Sequence, residues 1–168
     1  MDIVVAAAAP VTAPTLSWQG RVARCAIGRG GVRRDKREGD GATPAGRFPL
    51  REMFYRPDRL APPPTGLPLR PLAEADGWCD DPYDAAYNRL LRLPHPARCE
   101  RLWRADSLYD QLIVVGYNDD PVRPGRGSAI FMHVAAPGYT ATEGCVALAL
   151  SDLQDLVAAA GPDDVLMV

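Results

Sequence analysis

The hydrophobic pattern of the chain predicts mostly β-structure. Short apolar runs of strand length, bounded by turn-forming residues, occur at residues 3–8, 21–28, 47–55, 111–118, 129–135, 145–150 and 164–168. In the second run Val22, Arg24 and Ala26 alternate with Ala23, Cys25 and Ile27, as in a half-buried strand. We therefore predict a mainly β fold, a sandwich or barrel with long loops and one helix near the C-terminus.

The predicted helix begins at Ser151. Ser151 and Gln154 have the spacing of a capping box, and an apolar stripe follows at helical spacing. The stripe consists of Leu153, Leu156, Val157 and Ala160. Gly161 and Pro162 then predict the end of the helix.

Two segments between the apolar runs predict loops, and a third predicts short helical turns. Residues 28–46 are rich in Gly, Arg and Asp, so we expect a long exposed loop. Its basic residues Arg33, Arg34, Lys36 and Arg37 form either a solvated cluster or a contact for an anionic polymer. Residues 56–71 contain six prolines and predict an extended surface segment. Residues 80–90 predict one or two short helical turns.

Length and composition restrict the function classes. A chain of 168 residues is the size of one domain, so we expect a single domain over residues 1–168. Its 19 Lys and Arg against 21 Asp and Glu give a net charge of −2, which argues against nucleic acid and acidic lipid as partners. The 15 Gly and 17 Pro predict frequent turns and few long helices.

The N-terminus and the longest apolar runs give no sign of a leader or a membrane span. Asp2 lies where a leader has positive charge, and no Lys or Arg precedes Arg21, so a first strand is the favoured interpretation of residues 3–8. No run reaches the ~20 apolar residues of a transmembrane helix.

Four cysteines and two histidines are the residues best suited to covalent chemistry. The cysteines are far apart in sequence and only His95 and His133 accompany them, so a zinc site is not predicted. We expect free thiols, although an even count permits two disulfides in an oxidising compartment. Cys25, Cys79 and Cys99 are expected in the core or as bystanders, and His95, between two prolines, in a loop.

Cys145 differs from the other cysteines because of what surrounds it. It follows Gly144 at the start of an apolar strand, and His133 lies twelve residues earlier in another apolar run. If these two strands are neighbours, the imidazole can take the thiol proton and the sulfur can act as a nucleophile. Amides of the tight turn at Gly144 and Cys145 can stabilise a developing oxyanion.

Two motifs give the chain a family resemblance. Residues 130–133 (IFMH), followed after a polar connection by residues 142–146 (TEGCV), resemble the catalytic signature of the L,D-transpeptidase (YkuD) family. Residues 40–48 (DGATPAGRF) resemble the Thr-Pro-x-Gly-x-Phe stretch of the same family. Both motifs occur in the family's order, and the resemblance spans nearly the whole chain.

The resemblance implies a function in bacterial cell-wall biogenesis. It implies a mostly β fold in which Cys145 attacks a peptidoglycan stem tetrapeptide, D-Ala leaves and a thioester forms. An amine of a neighbouring stem then attacks the thioester and gives a 3→3 cross-link. The resemblance implies that His133 is the general acid/base and that the turn with Gly144, Thr142 and Glu143 lies near the oxyanion. Donor and acceptor stem peptides are the implied partners, carbapenem-type β-lactams are implied inhibitors, and no metal or cofactor is implied. Such a substrate implies action in the periplasm or cell envelope.

Two alternatives remain open at this point. Water in place of the acceptor amine gives an L,D-carboxypeptidase or related hydrolase. A non-catalytic wall-binding domain is the other alternative, because Glu143 stands where the family has His. An anion beside the thiol raises the thiol's pKa, unless Glu143 points away or pairs with a charged His133.

Further side chains are weaker candidates for substrate binding. Aromatic and hydrogen-bonding groups are concentrated in two places, at Trp78, Asp81, Tyr87 and Asn88 and at Tyr117 and Asn118. They can bind a stem peptide or a sugar at the rim of the site. The structural interpretation is that the Trp closes the edge of the core and the Asp residues cap turns.

Overall fold

The computed structural model describes residues 1–7 and 13–168. Within these residues the chain forms fourteen strands, one α-helix and one 3₁₀ turn. The strands are β1 (Asp2–Ala6), β2 (Thr15–Trp18), β3 (Arg21–Ala26), β4 (Val32–Arg33), β5 (Thr43–Pro44), β6 (Arg47–Tyr55), β7 (Leu69–Pro71), β8 (Asp76–Cys79), β9 (Leu90–Arg92), β10 (Cys99–Arg101), β11 (Gln111–Val115), β12 (Phe131–Val134), β13 (Val146–Leu148) and β14 (Val165–Met167). The helix α1 is Leu150–Ala159, and the 3₁₀ turn is Pro137–Tyr139.

The main sheet curls into a barrel-like arrangement. Its nine strands run in the order β11-β12-β13-β3-β2-β1-β14-β6-β7, and β6 also pairs with β11. The long β6 makes this closure, because its first residues pair with β14 and its later residues pair with β11, with a register shift at Leu50 and Met53. The mainly β, barrel-like fold with one C-terminal helix is therefore confirmed.

Two hydrophobic clusters lie on the two faces of the strands that carry the candidate site. The larger cluster fills the space between the barrel strands and α1, and includes Met132, Val146 and Leu156. The second lies between the outer face of β11 and β12 and a small antiparallel sheet of order β10-β8-β9. Cys145 and Phe131 belong to this second cluster.

The predicted strands agree with the structure to within a few residues. The run 47–55 is β6 without change, the run 3–8 overlaps β1, and the other runs contain β3, β11, β12, β13 and β14. The predicted first strand extends to Ala8, which lies outside the described residues. Cys25 is buried as the alternation predicts, whereas Val22 is exposed.

The predicted start of the helix was wrong. The helix begins at Leu150, its N-cap is Ala149, and no side chain caps it, so Ser151 and Gln154 form no capping box. The chain enters the helix directly from β13, and burial of the stripe containing Leu153 fixes the helix start. The helix ends at Ala159, just before Gly161 and Pro162 as predicted, but Ala160 is the extended C-cap and not part of the helical stripe.

The segment 28–46 is not the exposed loop that its composition predicts. It contains the parallel pair β4–β5, and Ala42, Thr43 and Lys36 are buried. The error has a physical cause, because glycines allow close backbone packing and the buried Lys36 ammonium is paired with Asp40 at 2.8 Å. Arg37 remains at the surface, as expected of a solvated cluster.

Residues 80–90 were predicted to contain short helical turns, and this was also wrong. The segment is a series of non-helical turns. Asp81 and Asp84 accept hydrogen bonds from the backbone two residues later, at 3.0 and 2.7 Å. This local bonding competes with helix formation.

Among the described residues, no helix is long and apolar enough to cross a membrane.

Candidate active site

Strand register brings Cys145 and His133 to the same face of the main sheet. β12 and β13 are parallel neighbours with Met132 opposite Val146 and His133 opposite Ala147. Cys145 therefore lies across from Phe131, and its side chain is on the same face as that of His133. Standard strand geometry puts the two Cα atoms about 8 Å apart. The expectation that the two strands are neighbours is confirmed.

The turn before Cys145 depends on Gly144. Its φ is +142°, a conformation that side chains disfavour, and a Cβ added there would lie 2.8 Å from the carbonyl oxygen of Ala42. Thr142 holds the turn from inside. Its Oγ1 donates to the carbonyl of Cys145 at 2.6 Å and accepts from the amide of Gly144 at 3.1 Å. Thr142 thus determines the direction of the Gly144 N–H.

The second sequence motif supports this turn from behind. Thr43 is fully buried, and its Oγ1 accepts a hydrogen bond from the amide of Gly28 at 2.8 Å. Gly28 in turn forms a bridge with Thr142. The segment 40–44 therefore lies against the Cys145 turn directly at Ala42 and supports it indirectly through Gly28. This gives a physical reason for the two motifs to occur together.

The Cys145 thiol is buried and neutral. Its Sγ donates to the carbonyl of Ala129 at 3.3 Å and accepts from the amide of Phe131 at 3.4 Å. Burial, and then the nearby Glu100 carboxylate, raises the pKa of the thiol to about 12. Ala129 has a left-handed backbone with φ of +52°, which aims its carbonyl at the sulfur.

His133 is also neutral, and its tautomer follows from its contact with the backbone. Nδ1 lies 2.8 Å from the carbonyl of Val134, which can only accept, so Nδ1 carries the proton and Nε2 keeps a lone pair. Burial lowers the pKa of His133 to about 4. The edge of the ring packs on Tyr109 with centroids 5.2 Å apart. Nε2 thus has the protonation state that a general base needs.

Glu143 points away from the thiol. Its carboxylate is exposed and accepts from Arg29 Nε at 2.8 Å. This hydrogen bond lowers the pKa of Glu143. Of the two arrangements considered for Glu143, the structure therefore has the one in which it points away from the thiol. In the described part of the chain, no hydrogen bond or ion pair joins Glu143 to His133.

A cavity of about 510 Å³ opens beside these residues. Cys145, His133, Thr142 and Glu143 all contribute to its wall. Other parts of the wall come from the 28–46 segment, the small sheet, the chain between β10 and β11, the residues just before β12 and the connection between β12 and β13. This volume lies within the range typical of small-molecule sites.

The sequence patterns did not indicate Glu100 and Tyr109, which line the same cavity. The Tyr109 hydroxyl donates to Glu100 Oε1, and its ring contacts both His133 and Phe131. Burial raises the pKa of Glu100. Glu100 is on a three-residue strand and Tyr109 just precedes a strand, so no periodic pattern distinguishes either residue.

The six weaker candidates for substrate binding lie outside the walls of this cavity. Trp78 Nε1 donates to Asn88 Oδ1 at 2.9 Å, and Asn88 Nδ2 donates to the carbonyls of Tyr117 and Asn118 at 3.0 and 2.8 Å. Asn88 Oδ1 also accepts from the amide of Ala129, so Asn88 positions the residue whose carbonyl binds the thiol.

The remaining candidates are also bonded within the protein. The Tyr87 hydroxyl donates to Glu38 and accepts from the amide of Gly127. Asp81 caps its turn, and Asn118 Nδ2 donates to the carbonyls of Arg123 and Gly127.

In residues 1–7 and 13–168, no cluster of three or more potential metal ligands is found.

Comparisons with known proteins complete this description. Searches of curated proteins and of solved structures give no match. A family model, YkuD, the L,D-transpeptidase catalytic domain, matches residues 12–168, which is nearly the whole chain. The chain therefore belongs to the L,D-transpeptidase catalytic domain family, whose function concerns peptidoglycan.

Proposed function

We propose that the chain is a cysteine acyltransferase that forms 3→3 cross-links between peptidoglycan stem peptides. Cys145 is the nucleophile and His133 is the general acid/base. The observation that carries this proposal is their placement on one face of adjacent strands, in the wall of one cavity. The family match supplies the substrate class.

The acylation step follows from the protonation states. Nε2 of His133 takes the thiol proton as the sulfur attacks the carbonyl of the diamino-acid residue in the donor tetrapeptide. The tetrahedral intermediate collapses, the amine of D-Ala receives the proton from His133, and a thioester remains on Cys145. Because the two groups are neutral at rest, we expect proton transfer to accompany attack instead of preceding it.

The deacylation step reverses these roles. His133 Nε2 removes a proton from the acceptor amine as the amine attacks the thioester. The C–S bond then breaks, the new amide forms, and the thiolate recovers its proton from His133. Water in place of the amine gives a tripeptide and makes the enzyme a carboxypeptidase.

The turn at Gly144 has a separate role in this scheme. We assign oxyanion stabilisation to the amide of Cys145, because the Gly144 amide is already bonded to Thr142 Oγ1. One such donor is worth about 3–4 kcal/mol in acyl transfer. Thr142 is a positioning residue, because its hydroxyl binds the Gly144 amide and the Cys145 carbonyl at once.

Purified disaccharide-tetrapeptide tests the proposal. The reduced protein is incubated with it, and the products are separated and sequenced by mass spectrometry. We expect a 3→3 dimer and free D-Ala with the wild type and with Cys99→Ser, and no product with Cys145→Ala. Tripeptide without dimer identifies the hydrolase. Absence of both, with unchanged peptidoglycan binding by Cys145→Ala, identifies the non-catalytic wall-binding domain.

A further inference from the structure

Cys79 and Cys99 face each other across two neighbouring strands. β8 and β10 are antiparallel, with Cys79 opposite Cys99 and Trp78 opposite Glu100. All four cysteines are free thiols in the structure. Neither Cys79 nor Cys99 has a role in the function proposed above.

The hydrogen bonds of this pair of strands define the spacing of the two cysteines. The amide of Asp80 donates to the carbonyl of Arg98, its opposite residue, at 3.2 Å, and the amide of Leu102 donates to Asp76 at 3.1 Å. Hydrogen-bonded and non-hydrogen-bonded pairs alternate along antiparallel strands, so Cys79 and Cys99 form a non-hydrogen-bonded pair.

This type of pair suits a disulfide. Its Cα atoms lie about 4.5 Å apart and its side chains approach closely. Disulfides span Cα separations of about 4.4–6.8 Å, so a bond needs no large movement of either strand.

The surroundings of the two thiols differ in a way that sets the order of reaction. Cys79 is fully buried, whereas Cys99 is half-buried and more accessible to a reagent. Cys99 Sγ lies 3.4 Å from the carbonyl of Ala97, to which it donates, and 3.9 Å from His95 Nδ1. Burial, followed by the neighbouring Cys79 thiol, raises the pKa of Cys99 to about 11, so exchange is faster at alkaline pH.

We propose that Cys79 and Cys99 are a disulfide-forming site that reacts by exchange with a low-molecular-weight or protein disulfide. The Cys99 thiolate attacks one sulfur of the oxidant, the oxidant's S–S bond breaks, and a thiolate leaves. The Cys79 thiolate then attacks Cys99 Sγ in the mixed disulfide, and the second thiolate leaves. The two thiols are oxidised to one disulfide, and the oxidant is reduced to two thiols, whose protons are the two that Cys79 and Cys99 give up.

The bond would change the wall of the candidate active site. Asp80 and Glu100 directly follow the two cysteines and both line the cavity with Cys145. A disulfide would tie together the strands that carry these residues. The inference depends on strand register and holds whether or not Cys145 is an acyltransferase nucleophile.

Oxidised glutathione at pH 8.5 provides the test. The reduced protein is incubated with it, the protein is denatured, free thiols are alkylated, and intact mass and tryptic peptides are measured. We expect two fewer alkyl groups than on the reduced protein, residues 99–101 linked to the peptide that contains Cys79, and complete reversal by dithiothreitol. Cys145→Ala keeps the link, whereas Cys99→Ser and Cys79→Ala lose it.

Other results overturn the inference. They are alkylation of both Cys79 and Cys99 after exposure to excess oxidant, a lasting glutathione adduct on Cys99, or a bridge to Cys25 or Cys145. Cys99→Ser changes a half-buried side chain, so its folding is expected to be normal and circular dichroism checks it. None of these results depends on turnover of peptidoglycan, so failure here is distinct from failure of the proposed function.

Discussion

The buried neutral His133 makes the stability of the fold depend on pH. The unfolded chain binds a proton at this residue with a pKa near 6.5, whereas burial lowers the pKa of the folded state to about 4. Falling pH therefore favours the unfolded state, which binds the proton more tightly. The stabilisation is fully present above about pH 6.5 and is lost as the pH falls toward 4.

The size of this effect follows from the two pKa values. One pKa unit is worth 1.36 kcal/mol, so the full effect is about 3 kcal/mol. Between pH 7 and pH 4.5 the wild type loses about 2 kcal/mol of its free energy of unfolding through His133 alone. His133→Gln has no group that titrates at this position and lacks this component.

Urea unfolding of both proteins at pH 7 and pH 4.5 measures the effect. Carboxyl groups titrate in both proteins, so their contributions cancel when the two pH differences are subtracted. We expect the wild type to lose about 2 kcal/mol more than His133→Gln. Equal pH dependence of the two proteins would refute the burial of a neutral imidazole beside Cys145.

Three substitutions near the site test other parts of the account. Glu143→Gln is expected to leave the rate of Cys145 acylation within about 2-fold, because Glu143 bonds Arg29 in solvent; a 10-fold faster rate, measured by mass spectrometry, would contradict this. Gly144→Ala is expected to lower the free energy of unfolding in urea by about 2 kcal/mol and to abolish acylation. The control Gly20→Ala also has a positive φ but no close neighbour, so it is expected to cost about 1 kcal/mol. Equal costs would argue against the close contact between Gly144 and Ala42. Asn88→Ala leaves two carbonyls and two N–H groups without their hydrogen-bond partner. It is therefore expected to cost about 3 kcal/mol in the same assay. A cost below about 1 kcal/mol would contradict the role of Asn88 in holding these groups.

Strand positions were predictable because burial leaves a direct record in the sequence. All five residues of β11 and the last three residues of β6 are buried, so each strand appears as an apolar run in the sequence. The sequence raised the adjacency of β12 and β13 only as a condition, and the parallel pairing of the two strands meets it. These elements position the two residues on which the proposed chemistry depends.

The errors occur where polar groups satisfy one another inside the protein. The segment with Lys36 has the composition of a solvated loop, but its ammonium is buried against Asp40. A sequence does not reveal that such a pair will form, because burial of an ion depends on the geometry of its partners. The start of α1 was misplaced for a related reason, since packing of its apolar stripe outweighs the local cap at Ser151.

The cavity wall was the least predictable part of the site. Glu100 and Tyr109 come from separate short elements that meet only after the small sheet packs on the main sheet. Their hydrogen bond joins residues nine positions apart with no periodic relation. Strand pairing in the small sheet, which also aligns Cys79 with Cys99, likewise depends on that packing.

Covalent trapping of Cys145 tests the central claim most directly. The reduced protein is incubated with a carbapenem, and intact mass and peptide mapping locate the adduct. The account predicts one adduct per chain on Cys145, a rate strongly reduced in His133→Gln, and no adduct in Cys145→Ala. An unmodified and reduced Cys145 after prolonged incubation would contradict the assignment of this thiol as the nucleophile.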